Sequence, residues 1–285
     1  DGSQVVPPHD KGIIDQVANV RVEDIKFTPN EKLIETIGEK VDRAFVEAAV
    51  KHGSYDTTGR DDFKLVYTPI HGTSFKAMIP ALELAGFKNV ITVTEQMVPS
   101  GDFPTVKSPN PEDPKALKMA TDLAIRENAD MVVGTDPDAD RIGIAVRNLK
   151  GELELLNGNQ TNTVLAAYLL ERWRKQGKLN GKQFIGSKWI ADMIRRAEGK
   201  QEFVGGGEES FGFMVGDFVR DKDSITTTIL ASEVAAVAKA KGSSFFKELL
   251  KIYEKTGMYR ESLVNIVREG VSGAQQIKAM MDTLR

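Results

Sequence analysis

Phe63-Lys64-Leu65-Val66-Tyr67 runs into Thr68-Pro69-Ile70-His71-Gly72-Thr73 and then into an amphipathic stretch from Phe75 to Leu84 that ends near Gly86. A short apolar run, a Pro/Gly turn and a helical period, in that order, read as strand, turn and helix. The unit recurs. Val90-Ile91-Thr92-Val93 reads as a second strand, Pro114 to Glu127 as a second helix, and Met131-Val132-Val133 as a third strand, with Ile142-Gly143-Ile144-Ala145-Val146 adding one more. Strands alternating with helices of this length imply βαβ units and a largely parallel sheet. Upstream, Leu33, Ile34, Ile37, Val41, Ala44, Phe45 and Ala48 at three-to-four spacing predict a helix over 31–50 that starts at Thr28-Pro29-Asn30.

Asn148-Leu149-Lys150-Gly151 reads as a hairpin turn, and 154–160 as a boundary after which the alternation restarts. A helix from Asn162 to Arg174, a strand at 183–185, a helix from Trp189 to Ala197 and a strand at 202–204 follow, then helices over 224–240, 244–253 and 274–284. The expected fold class is α/β, with two consecutive, similarly built α/β domains over 21–153 and 154–285 and mostly parallel mixed sheets. One join is abrupt. Ile185-Gly186-Ser187 should end a strand, yet Lys188-Trp189-Ile190 begins a helix, which points to residues missing between Ser187 and Lys188.

The 285 residues, 41% of them hydrophobic, can supply a core for about two domains. A net charge of −3 argues against a nucleic-acid or anionic-membrane surface. The absence of cysteine excludes disulfides and thiolate metal sites and fits a reducing, cytoplasmic setting. No signal peptide or apolar run of about 18 residues appears. The start at Asp1-Gly2-Ser3 does not resemble a natural initiation, so a removed or missing N-terminal region is expected.

The chemistry concentrates in three places. Gly134-Thr135-Asp136-Pro137-Asp138-Ala139-Asp140-Arg141 puts three carboxylates at alternate positions at a strand end. They repel one another unless a cation neutralises them. Pro137 favours an extended Asp136, and in an extended segment alternate side chains share a face, so Asp136, Asp138 and Asp140 are expected to converge. Oxygen ligands that leave positions open suit Mg2+. A solvated acidic turn fits the same residues. A calcium loop does not, since Arg141 and Arg147 stand where it needs Gly and Glu. A phosphatase using Asp136 as nucleophile fits poorly.

Gly205-Gly206-Gly207-Glu208-Glu209-Ser210-Phe211-Gly212 joins a turn-forming backbone to acceptors suited to the vicinal hydroxyls of a sugar; a glycine-rich turn with surface acids is the plainer alternative. Arg220-Asp221-Lys222-Asp223 either binds a phosphate or sugar oxygen through Arg220 or Lys222, with Asp223 capping a helix, or is a solvated turn. His71 is a proton shuttle or a satisfied turn histidine.

Together, in this order, Tyr67 to Thr73, Asp136 to Arg141, Gly207 to Gly212 and Arg220 to Asp223 closely resemble the α-D-phosphohexomutase superfamily, in particular its phosphoglucomutase branch. The resemblance covers that family's two middle domains, with residues 1–20 as a trailing piece of the first. It implies a mutase that interconverts glucose 1-phosphate and glucose 6-phosphate through a phosphoserine and a hexose bisphosphate; phosphomannomutase, phosphopentomutase or a non-catalytic sugar-phosphate binding module are the alternatives. It further implies Mg2+ held by Asp136, Asp138 and Asp140, a loop supported by Arg141, a substrate contact or proton transfer at Lys222, and substrate binding by Glu208, Glu209, Ser210, Arg220 and Lys188. The family's Ser-His-Asn-Pro nucleophile loop and its fourth-domain phosphate loop have no counterpart in this chain. The chain alone is therefore expected not to turn over, and to hold its metal weakly or not at all.

Overall fold

Leu65-Val66-Tyr67 and Met131-Val132-Val133 are apolar on both faces, as strands covered by helices on either side must be. In the computed structural model, which describes residues 5–186, 190–259, 261 and 266–284, every one of these six side chains is buried. The elements run α1 (His9–Asn19), α2 (Gly38–Gly53), β1 (Lys64–Thr68), α3 (Phe75–Leu84), β2 (Asn89–Thr92), α4 (Lys118–Arg126), β3 (Met131–Thr135), β4 (Ile142–Arg147) and β5 (Leu153–Leu156). They continue with α5 (Gly158–Lys175), β6 (Gln183–Gly186), α6 (Ile190–Ala197), β7 (Glu202–Gly207), β8 (Phe213–Val215), α7 (Ser224–Ala240), α8 (Phe245–Thr256) and α9 (Gly270–Leu284).

Two sheets result, in the orders β2-β1-β3-β4-β5 and β6-β7-β8. β1 runs parallel to β2 and β3, and β6 to β7, as the helical crossovers require. β4, β5 and β8 are antiparallel to their neighbours, because connections as short as 136–141 can only fold back. The architecture is the mixed α/β one expected. On one face of the first sheet, Ala120 and Ala124 of α4 pack against Val66, Val132 and Ala145. On the other lies α7, which touches α2, α3, α5, β3, β4 and β8. Its residues from Ser224 to Ala238 are all buried, which suits a sequence of Ile, Leu, Val, Ala, Thr and Ser in which Glu233 is the one charged residue. Residues through Lys251 form one compact unit. In the second unit, Ile252–Arg285, α9 has one buried residue, Gly273. Among the described residues no helix is long and apolar enough to cross a membrane.

Several local expectations are corrected. The helix expected over 31–50 begins at Gly38; Asn30 instead caps a single 3-10 turn by accepting from Lys32 N, and Leu33, Ile34 and Ile37 stay exposed for want of a surface to pack on. α4 starts later than Pro114, since Asp113 Oδ1 accepts from Lys115 N and holds a turn there. The stretch 154–160 holds the end of β5 and the start of α5, where Asn157 and Gln160 make a reciprocal capping box. The hairpin at Asn148 forms as expected, its side chain accepting from the N–H of Lys150 and Glu152. β8 was not anticipated, being too short to show a period. The Ser187–Lys188 join and Trp189 lie outside the described residues.

Candidate active site

β3 delivers a fully buried Thr135 to the carboxyl edge of the first sheet, and the chain turns at once. Asp136 Oδ1 accepts from the N–H of Asp140 at 3.0 Å and of Arg141 at 2.9 Å, Ala139 N donates to Asp136 O at 3.2 Å, and Ala139 takes a left-handed φ of 64°. One oxygen from each of Asp136, Asp138 and Asp140 then lies within 4.8 Å of the others. The carboxylates meet as expected, but through this side-chain-pinned turn rather than along an extended segment. A Cβ on Gly72 would come 2.5 Å from Pro137 Cα, and Thr73 donates from both N and Oγ1 to Pro137 O at 2.9 Å, so the β1–α3 turn cradles the acidic loop. Beneath it, Tyr67 Oη, Ser74 Oγ and Thr135 Oγ1 form a buried chain with 2.6 Å links. His71 is buried, with Nδ1 on Val98 O and Nε2 on Thr105 Oγ1, each at 2.9 Å. It is a satisfied turn histidine.

Burial, and then the adjacent Asp140 and Asp138 carboxylates, push the Asp136 carboxyl up to about 7 against the lowering effect of the Arg141 N–H. Cations gather around it. Arg141 Nη1 is 3.2 Å from Glu112 Oε1, and its Nε is 3.6 Å from Asp140 and 3.8 Å from Asp136. Lys222 Nζ lies 3.1 Å from Asp140 Oδ2, 3.5 Å from Asp221 Oδ1 and 4.0 Å from Glu208 Oε2. Burial alone would lower this ammonium, but Asp140, Asp221 and Glu208 outweigh it and hold its pKa above the ordinary lysine value. Three hard-oxygen donors on a half-buried turn, one of them strained by its own charge, fit a divalent cation.

The second constellation abuts the first. Ile142 N donates to Phe211 O at 3.0 Å and Arg141 bridges Gly212, so the sugar-type loop is stitched to the strand that leaves the acidic loop. Gly205, Gly206 and Gly207 are not turn residues, as the sequence had implied. They form the end of β7, where a Cβ on Gly206 would sit 2.1 Å from Gly186 O, so glycine is needed for close approach of backbones. The lysine stem of Lys222 crosses Gly212, whose Cβ would fall 2.2 Å from Lys222 Cδ. Asp223 caps α7, accepting from Ile225 N and Thr226 N at 3.0 Å, while Ser224 N donates to Ala139 O. A cavity of about 330 Å³ opens here, walled by Glu208, Arg220, Asp221 and Lys222 with Ile190 and Asp192 of α6, and flanked by the segment from Val5 to Pro7. Arg220 is paired to Glu198 at 2.5 Å.

Asp136, Asp138, Asp140, Arg141, Lys222 and Glu208 are thus brought into one cluster, and Arg220 into the same cavity wall. Exposed Glu209 and half-buried Ser210 share the loop but do not line the cavity; Lys188 lies outside the described residues. Sequence reasoning missed Glu112, the partner of Arg141, and Asn162, whose Nδ2 donates to Glu208 O at 2.9 Å. Neither sits in a motif.

Two family models match, "Phosphoglucomutase/phosphomannomutase, alpha/beta/alpha domain II" over residues 43–151 and domain III of the same family over residues 143–253. The chain belongs to the phosphoglucomutase/phosphomannomutase family. Within it, a phosphoglucomutase of Staphylococcus haemolyticus is 34% identical over 248 residues, covering 79% of this chain and 45% of that protein. One from Staphylococcus epidermidis is 34% identical over 251 residues, covering 80% and 46%. The chain therefore spans about half the length of the curated relatives it matches. Among solved structures, a putative phosphomannomutase from Thermus thermophilus superposes with a TM-score of 0.57 at 23% identity, covering 76% of this chain and 51% of that one. A phosphoglucomutase/phosphomannomutase family protein from Burkholderia thailandensis gives 0.52 at 18%, covering 71% and 46%. At such identities the likeness to these family members speaks for the fold.

Proposed function

We propose that this chain carries the metal-binding and sugar-binding parts of a phosphohexomutase that interconverts glucose 1-phosphate and glucose 6-phosphate through a phosphoserine and a hexose bisphosphate. The observation that supports it best is the position of Lys222, whose ammonium reaches both Asp140 of the acidic loop and Glu208 of the sugar-type loop. A residue range of 21–153 carrying the first loop and 154–285 carrying the second belongs to the same proposal. No Ser-His-Asn-Pro occurs in the 285 residues, so the phosphoserine and a further phosphate-binding loop are to be supplied by sequence beyond them. The absence of cysteine agrees with a cytoplasmic setting.

In this reading Asp136, Asp138 and Asp140 hold Mg2+, which when bound neutralises charge on the phosphoryl group in a transfer governed by positioning and electrostatics. Glu208 accepts from vicinal sugar hydroxyls, with Glu209 and Ser210 available on the same loop. A carboxylate that binds a hydroxyl pair can serve the hexose in both orientations, which a mutase requires. Lys222 either donates to a sugar or phosphate oxygen or transfers a proton there, and its raised pKa favours the charged donor. Arg220 faces a phosphate, Arg141 holds the acidic loop against Glu112, and Lys188 is assigned a substrate contact from the resemblance. The test is a polypeptide in which this chain is joined to an upstream phosphoserine loop and to a phosphate-binding domain, assayed with glucose and mannose 1-phosphates. Interconversion of the glucose phosphates, abolished by Asp138→Ala, is expected. Undiminished activity of that variant overturns the metal assignment, and preference for mannose 1-phosphate overturns the glucose assignment.

A further inference from the structure

The loop bearing Glu208 is held from α5, an element that carries none of the recognised motifs. Asn162 Nδ2 donates to the Glu208 carbonyl at 2.9 Å, while Glu208 N donates to Gly212 O at 2.9 Å, so both backbone polar groups of Glu208 are tied. Contact is close on both sides of that bond. A Cβ on Gly207 would lie 2.5 Å from Asn162 Nδ2, and a Cβ on Gly158 would lie 2.1 Å from Glu209 O and 2.9 Å from Phe211 N. Gly158 and Asn162 are four residues apart, hence on one face of α5, and that face is pressed against the loop. The start of α5 is itself fixed by the Asn157–Gln160 capping box. On its far side the loop is anchored by Ile142 N on Phe211 O, and Phe211 holds a left-handed φ of 66°, a conformation that persists only where the surroundings impose it.

We propose that Asn162 is a positioning residue for sugar recognition: by holding the Glu208 carbonyl it sets where the Glu208 carboxylate stands in the cavity. This rests on the reading of Glu208 as the group that binds sugar hydroxyls. The physical basis is leverage. A side chain leaves its Cα in a direction set by the backbone on either side, so freeing the carbonyl lets that direction drift, and a loss of order one hydrogen bond in alignment appears in ligand binding. Asn162 lies on a different element from the acidic turn, so its removal leaves metal binding alone.

The experiment is calorimetric titration of glucose 6-phosphate, and separately of Mn2+ as a metal probe, into the chain and its Asn162→Ala, Glu208→Gln and double variants, with a thermal melt of each. Asn162→Ala is expected to weaken glucose 6-phosphate about tenfold while leaving Mn2+ affinity as it was and lowering Tm by no more than the roughly 2–4 °C that one lost hydrogen bond costs. The double variant should bind no worse than Glu208→Gln, because residues acting through one another are not additive. Wild-type affinity in Asn162→Ala, additive losses in the double variant, or a fall in Mn2+ affinity parallel to that for glucose 6-phosphate each overturn the proposal. If Glu208→Gln binds glucose 6-phosphate as the wild type does, the sugar assignment of Glu208 itself fails, and the positioning role falls with it.

Discussion

At the scale of single residues the acidic turn shows how spacing and conformation part company. Asp136, Asp138 and Asp140 are legible as a cluster because their order in the chain already crowds their charges. The turn that unites them is not legible, since it depends on Asp136 Oδ1 reaching two N–H groups rather than on a strand pattern. The same burial has a consequence for stability. An ordinary aspartate titrates near 3.9, roughly the unfolded value, whereas Asp136 in the fold is pushed up to about 7. Its ionisation therefore opposes folding. The stability tied to its neutral form is fully present below about pH 4 and is lost as pH rises through about 7. Asp136→Asn keeps an acceptor for both N–H groups and removes the charge. In metal-free buffer at pH 8 this variant should melt higher than the wild type by at least about 2–4 °C, the shift of ~1 kcal/mol in a domain of this size, and at pH 4 the two should coincide. An unchanged or lower Tm at pH 8 would contradict the account. Added Mn2+ should narrow the gap by stabilising only the wild type.

Among elements, β7 was the least readable. Three glycines in a row signal a flexible turn when only φ freedom is considered, yet here they extend a strand whose backbone touches its neighbours. The reason lies in the neighbours, Gly186 O of the adjacent strand for Gly206 and Leu169 Cδ1 of the covering helix α5 for Gly205. This difference in what a methyl group would strike is testable. Gly206→Ala meets backbone 2.1 Å away and must pry β6 from β7, which should lower unfolding free energy by about 1–3 kcal/mol. Gly205→Ala meets first the end of a leucine side chain at 2.8 Å, which can rotate, and should cost less. Urea midpoints of the two variants give the order, and a reversed order refutes it. By contrast α7, buried along nearly its whole length, and α3, opened by a Pro/Gly turn and burying one face through Met78, Ala81 and Leu82, were placed well by pattern.

The compact unit through Lys251 also holds a buried ion pair. Arg60, just before β1, pairs with Glu233 in the middle of α7 at 2.6 Å, with side chains 3% and 0% exposed. Glu233 also accepts from Tyr168 Oη of α5 and from Tyr55 N, each at 2.7 Å, so the pair ties both sheets' covering helices to one point. Arg60→Met leaves a buried carboxylate without its cation and should cost about 3–5 kcal/mol in chemical denaturation, most of it recovered in Arg60→Met/Glu233→Leu. A single variant as stable as the wild type would refute the pair's structural role. The sequence by itself determined the α/β alternation, the cluster of three aspartates, the glycine- and acid-rich segment and the family they indicate, because periodicity and crowded charge act over a few neighbouring residues. Tertiary structure alone decided that Lys222 stands between Asp140 and Glu208, that Glu112 holds Arg141, and that Asn162 holds Glu208. Those contacts join residues far apart in the chain, and their distances follow from how α5 and α7 pack against the two sheets, which no local pattern encodes.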